Sequence, residues 1–120
     1  MLTTKHTTVT TTGATTLFEV PSGYVANIYY IFIANHDGST NSVILKVQDS
    51  SNTDILFLFD DVNVSGGEKE TLGGQSSLPL FVFNEEEKVR CKTGSAGDVE
   101  FAITFDLVER PAAFSNFNGS

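Results

Sequence analysis

The chain has 120 residues, of which 40% are hydrophobic and ten are Phe, enough for one domain that buries roughly two-thirds of the surface its unfolded chain would expose. A formal charge of −8 works against a grip on nucleic acid or on an anionic membrane surface, both of which need clustered Lys and Arg, and the single Cys91 excludes an internal disulfide framework. The opening residues are polar instead of forming a secretory leader, and no apolar run reaches the roughly 18 residues of a membrane span, so a soluble protein without an export address is expected.

Residues 3–16 hold nine Thr, a composition of high β-propensity with little to bury, and read as an extended arm or edge strand that needs a neighbour to order it. This arm leads into Leu17-Phe18-Glu19-Val20. Pro21-Ser22-Gly23 is a turn signal, because Pro presets φ and Gly accepts a positive φ after it. Tyr24 to Ala34 carries apolar residues on both faces and reads as a central strand covered on each side by protein. Asn35-His36-Asp37-Gly38-Ser39 then predicts a hairpin turn. Its half-buried return strand is Ser42 to Asp49, with Val43, Leu45 and Val47 alternating against Ile44, Lys46 and Gln48.

After the loop Ser50-Ser51-Asn52-Thr53 come Ile55 to Phe59, Asp60-Asp61 and Val62 to Val64, closed by Gly66-Gly67. Glu68 to Leu72, Leu80 to Phe83, Lys88 to Thr93 and Val99 to Val108 follow, giving about eight strands and no helical period. The fold class is therefore all-β, a single antiparallel β-sandwich or jelly roll. In the last two strands Val89 and Cys91 share a face, as do Val99, Phe101, Ile103, Phe105 and Leu107. A hairpin with both sets facing the core places Lys92 opposite Asp98 and Arg90 opposite Glu100. The expected organisation is an N-terminal arm over 1–16, a sandwich domain over 17–109, and a tail over 110–120 whose Phe114 and Phe117 need pockets on the body or on a neighbouring subunit. Thr10, Thr11 and Thr12 in the arm, with Phe114 and Phe117 in the tail, are the candidate partner-binding residues.

The inventory for chemistry is thin. His6 and His36 read as solvated residues of the arm and of a loop, and without a Cys pair a zinc site has no ligand set, so no metal and no cofactor is expected. Cys91 alternates with Val89 on an inward face and reads as a small buried hydrophobe. Asp49 to Asp54 spaces oxygen ligands, and Asp60-Asp61 would face Glu85-Glu86-Glu87 across a loop layer, yet the Gly and terminal Glu of a calcium loop are missing. Gly66-Gly67 and Gly73-Gly74 precede no helix and no Lys-Ser or Lys-Thr pair, so they read as turns, not phosphate loops. Lys88, Arg90 and Lys92 read as the charged outer face of a strand. No catalytic residues are expected, and the chain is read as a non-enzyme.

Val20-Pro21-Ser22-Gly23, Ala34-Asn35-His36-Asp37-Gly38, Ser65-Gly66-Gly67-Glu68 through Leu72-Gly73-Gly74, and Lys92-Thr93-Gly94-Ser95-Ala96-Gly97-Asp98-Val99 resemble the turns of small β-sandwich virion proteins of tailed bacteriophages. The likeness covers residues 17–109 and departs at Asn84-Glu85-Glu86-Glu87, where that group would have a Gly-Asp turn. It implies a capsid cement (decoration) protein, or a neck or tail accessory. The partners would be the major capsid protein or other virion proteins. The resemblance further implies a homo-oligomer, in that group often a trimer, located in the virion and assembled in the host cytoplasm. A carbohydrate-binding or receptor-binding module is the alternative from another class. It would need exposed aromatic platforms, and its only candidates are Tyr24, Tyr29 and Tyr30, in a strand expected to be buried.

Overall fold

The computed structural model describes residues 2–73 and 78–110, and within them the chain forms nine strands and no helix. These are β1 (Leu2–Val9), β2 (Thr15–Glu19), β3 (Tyr24–Asn35), β4 (Asn41–Gln48), β5 (Asp54–Val64), β6 (Lys69–Gly73), β7 (Phe81–Phe83), β8 (Lys88–Thr93) and β9 (Val99–Glu109). The first sheet runs β1-β9-β3, with β6 and β7 sharing the far edge of β3; the second runs β2-β8-β4-β5. All pairings are antiparallel, and the two sheets close over one core, the expected all-β sandwich. The ninth strand comes from the Thr-rich start. β1 pairs with β9 from Leu2↔Asp106 to Val9↔Val99 without a bulge, so the neighbour that orders this segment belongs to the same chain. The boundary expected at residue 16 falls inside β2.

Two expected hairpins do not form. β3 and β4 lie in different sheets, and so do β8 and β9, so the loops between them arch across the sandwich instead of returning beside the strand they leave. Arg90 stands opposite Thr16 and Lys46, and Glu100 opposite Thr8 and Ala34; the cross-strand ion pairs Lys92–Asp98 and Arg90–Glu100 are therefore absent. The physical reason is that alternation tells which side chains face the core and not from which side they approach it. Both sheets look onto the same interior, and a short polar loop spans the ~10 Å between them as readily as it closes a hairpin. The link from β4 to β5 is a hairpin.

Bulges account for the places where simple alternation misleads. On β3 the register shifts between Ile28 and Tyr30, so that Ala26 and Ile28 before it and Ile31 and Ile33 after it all point inward. The strand is central but covered on one face only. Phe32 stands outward in a row with Ala102 and His6, half-buried, and the apolar look of both faces came from the change of phase. Tyr29 and Tyr30 are likewise half-buried and Tyr24 is exposed at the rim, against the expectation that all three are covered. On β2 a shift between Thr16 and Phe18 lets the consecutive Leu17 and Phe18 both reach the core.

That core is built from Phe101, Ile103 and Phe105 of β9, Ile31 and Ile33 of β3, Val43, Leu45 and Val47 of β4, and Val89 and Cys91 of β8. Phe18 and Phe105 stack across the two sheets with centroids 4.1 Å apart. Cys91 is fully buried, its thiol donates to the carbonyl of Thr15 at 3.4 Å, and burial pushes its pKa up to about 12. The native thiol therefore stays protonated, and a thiol-specific reagent is expected to label Cys91 only at the rate of unfolding. The unfolded thiol would ionise near 9.0 and the folded one near 12, so its contribution to stability is lost as the pH rises through that window. Labelling of native protein within minutes would contradict this account.

Candidate functional site

Three buried polar residues, Asn35, Asn41 and Thr93, lie at one end of the sandwich, where four loops meet. Asn35 ends β3, and its Nδ2 donates to the carbonyls of Ser39 and Val64, each at 2.9 Å, while its Oδ1 accepts from the Asp37 amide at 3.0 Å. Asn41 opens β4 and holds Ser95 on both sides, donating to its carbonyl at 2.9 Å and accepting from its amide at 3.0 Å. Thr93 Oγ1 lies 2.9 Å from the Ser95 carbonyl and 3.3 Å from that of Thr11. Asp37 Oδ2 accepts from the Asp98 amide at 2.9 Å. Close packing demands glycine here. A Cβ on Gly66 would run into the backbone of Asp37 and Gly38, which the neighbouring bonds hold in place.

These bonds tie the β1–β2, β3–β4, β5–β6 and β8–β9 loops into a single rigid cap, satisfying groups that would otherwise be stranded out of water. Thr10, Thr11 and Thr12 sit on this cap, all exposed, as an outward-facing β1–β2 loop. Beside it, on the outer face of the first sheet, His36 Nε2 lies 3.2 Å from Glu100 Oε1, and His6 Nδ1 lies 3.9 Å from Glu100 Oε2. Among the described residues no group of three His, Cys, Asp or Glu is placed to hold a metal ion. Phe114 and Phe117 lie outside the described residues.

The acidic runs have structural roles. Asp49 Oδ1 accepts from the amides of Ser51 and Thr53 at 2.8 and 3.0 Å, closing the β4–β5 hairpin. Asp60 and Asp61 form a bulge in β5, with Asp61 at φ 56, and do not face Glu85-Glu86-Glu87. The glutamates instead lock the opposite end of the sandwich. Glu85 accepts from the Gly23 amide at 2.6 Å and pairs with Arg110, Glu86 accepts from Ser22 at 3.2 Å, and Glu87 accepts from the Asn84 amide at 2.7 Å. The Asn84–Glu87 segment is thus a turn, with Glu86 in the left-handed region at φ 68, the conformation a Gly would have entered without strain.

Two surfaces stand out. Lys46 lies directly opposite Arg90, which with Lys88 and Lys92 makes a cationic stripe across β4 and β8 on the outer face of the second sheet. The stripe was foreseen on β8 alone; the missing signal was that β4, not β9, would be its neighbour. Lys46 is answered by Asp54 at 3.2 Å, and a hydrogen bond from Gln48, ahead of that from Lys46, holds the Asp54 carboxyl below its ordinary pKa. Arg90 Nη1 donates to Thr16 Oγ1 at 2.7 Å. The second surface is apolar. Ile55, Leu56 and Phe57, consecutive at the start of β5, are 48%, 39% and 44% exposed, and Leu80 and Val82 are exposed on the same flank of the first sheet.

No protein-family model matches the chain, and no curated protein matches it in sequence. A solved structure does match in fold. A chain of the cyanophage Pam1 capsid asymmetric unit superposes with a TM-score of 0.51 at 18% identity, the match covering 92% of this chain and 84% of that one. At that identity the likeness is one of fold, a β-sandwich shared over nearly the whole length of both chains.

Proposed function

We propose that this chain is a non-enzymatic virion structural protein, a capsid cement (decoration) protein that binds across joints between major capsid proteins and stabilises the shell. The observation that carries this reading is the near end-to-end match to a chain of a cyanophage capsid asymmetric unit: what corresponds is a whole small sandwich, not one layer of a larger protein. The chemistry agrees. Polar side chains at both ends are used to brace loops, and what remains outward is adhesive: the Thr10–Thr12 loop, the cationic stripe and the apolar flank of β5. Each surface contributes a modest contact. A shell that displays many copies at high local concentration turns such contacts into firm attachment. The reduced, buried Cys91 suits assembly in a host cytoplasm.

Binding of purified protein to shells stripped of it tests the reading. Deleting residues 1–16 would remove β1 and open β2, so it would report on folding; the informative variant carries Thr10→Asp, Thr11→Asp and Thr12→Asp, which alter exposed side chains only. Shell occupancy is expected to fall roughly tenfold or more for this variant, with the thermal transition unchanged. Labelled protein that attaches to the neck or tail would move the assignment to the accessory role. Failure to associate with any virion part would end it.

A further inference from the structure

We propose that the cationic outer face of the second sheet, formed by Lys46, Lys88, Arg90 and Lys92, docks on the acidic flank of a second copy, where Asp60 and Asp61 of β5 stand beside Glu68 and Glu70 at the start of β6. This holds for the free protein and does not depend on the virion reading.

The face carries more positive charge than its own side chains answer. Two rows of paired residues cross it, Thr16, Arg90, Lys46 and Phe57 in one, and Glu19, Lys88, Gln48 and Asp54 in the other, while Lys92 stands opposite Ile44. Four of the chain's seven basic residues are thus gathered on one face of a protein with net charge −8. Lys46 pairs with Asp54, but among the described residues Lys88, Arg90 and Lys92 pair with no carboxylate, even though Glu19 stands opposite Lys88. Arg90 gives Nη1 to Thr16, while its Nε is covered and has no partner. A buried donor left in that state is a standing cost, and a carboxylate that draws the head group outward would accept from Nε and Nη2 together.

Charge complementarity identifies the occupant, because the matching set lies on the same chain. β5 and β6 are edge strands of opposite sheets, joined by a tight turn in which the Glu68 amide donates to the Ser65 carbonyl at 3.0 Å. Asp60 and Asp61 form the β5 bulge opposite Ile44. Glu70 stands opposite the inward Ile33, so it and Glu68, two residues earlier, project from the first sheet toward the level of β5. All four carboxylates are exposed, and none has a side-chain partner among the described residues. Alternate side chains of a strand are ~7 Å apart, so Glu68 and Glu70 match the step from Lys88 to Arg90 or from Arg90 to Lys92. At home the two sets cannot meet, since these glutamates belong to the first sheet, ~10 Å from the second, whose stripe points the other way. From Lys88 to Lys92 the stripe is only ~14 Å long and it ends beside Glu19 and Asp54, which suits a short cluster of carboxylates and not a long polyanion. Net charge opposes association at long range. At ~0.15 M salt, however, the screening length is ~8 Å, so repulsion between whole molecules is damped while ion pairs in contact persist.

Sedimentation of the purified full-length protein tests this. Wild type is expected to self-associate at ~0.15 M salt and to do so roughly tenfold or more weakly at ~1 M, where the screening length is ~3 Å. Lys88→Glu with Lys92→Glu reverses the stripe, and Glu68→Lys with Glu70→Lys reverses the flank, through side chains that are exposed or half-buried. Each variant alone is expected to stay monomeric, and an equal mixture of the two to regain association within about threefold of wild type. Asp98→Lys with Glu109→Lys makes an equal change of charge at the two ends of β9, off both surfaces, and is expected to associate as wild type does. A wild-type monomer at every concentration would overturn the inference. So would association indifferent to salt, or a mixture that stays monomeric although both variants keep the wild-type thermal transition.

Discussion

Replacing Phe101 by Ala is expected to lower the unfolding free energy by about 3–5 kcal/mol, a large share of the roughly 5–15 kcal/mol that holds a domain of this size. Phe101, the third residue of β9, stands between Thr7 of β1 and Ile33 of β3, and it is among the largest side chains with no exposure. The loss has two parts: the transfer energy of the ring, and the cavity left where two paired strands prevent collapse. Denaturant melts should show a lower midpoint with an unchanged slope. A loss below about 1 kcal/mol would mean that the two sheets do not close on this ring as described.

Asn35→Asp is expected to cost a comparable ~2–5 kcal/mol near neutral pH, although it changes one atom. The amide that serves the carbonyls of Ser39 and Val64 is replaced by a carboxylate oxygen aimed at both, in a residue 1% exposed. Burial and the two carbonyls raise the pKa of the new carboxyl in the folded state. Its neutral form is therefore favoured on folding, and the deficit against wild type should shrink as the pH falls from the raised pKa of the folded carboxyl to that of the unfolded chain, levelling off below it. Protonation returns one donor where there had been two, so recovery is partial. Equal deficits at acid and neutral pH would show that the side chain is not held against those carbonyls.

The same residue marks where sequence reading stops. Asn35-His36-Asp37-Gly38 was legible as a loop because Asn, Asp and Gly solve local backbone problems, but the target of Asn35 is the carbonyl of Val64, on a strand in the other sheet. Glu85 reads as a solvated charge beside two others, yet it braces Gly23 and Arg110, both far away in sequence. The cationic stripe was half legible, since Lys88, Arg90 and Lys92 alternate, while Lys46 joins them only through the pairing of β4 with β8. The exposed start of β5 reads as a core strand, because five consecutive apolar residues carry no sign that they will stand at an edge.

By itself the sequence determined that this chain is all-β, where its strands lie, and for most of them which side chains turn inward, because alternation and turn chemistry act over a few residues. The tertiary structure alone decided which sheet each strand joins, where bulges shift the phase, and hence which loops meet and which edge stays open. Those outcomes depend on pairing energies between distant segments, and a strand presents the same apolar face to either layer of a sandwich.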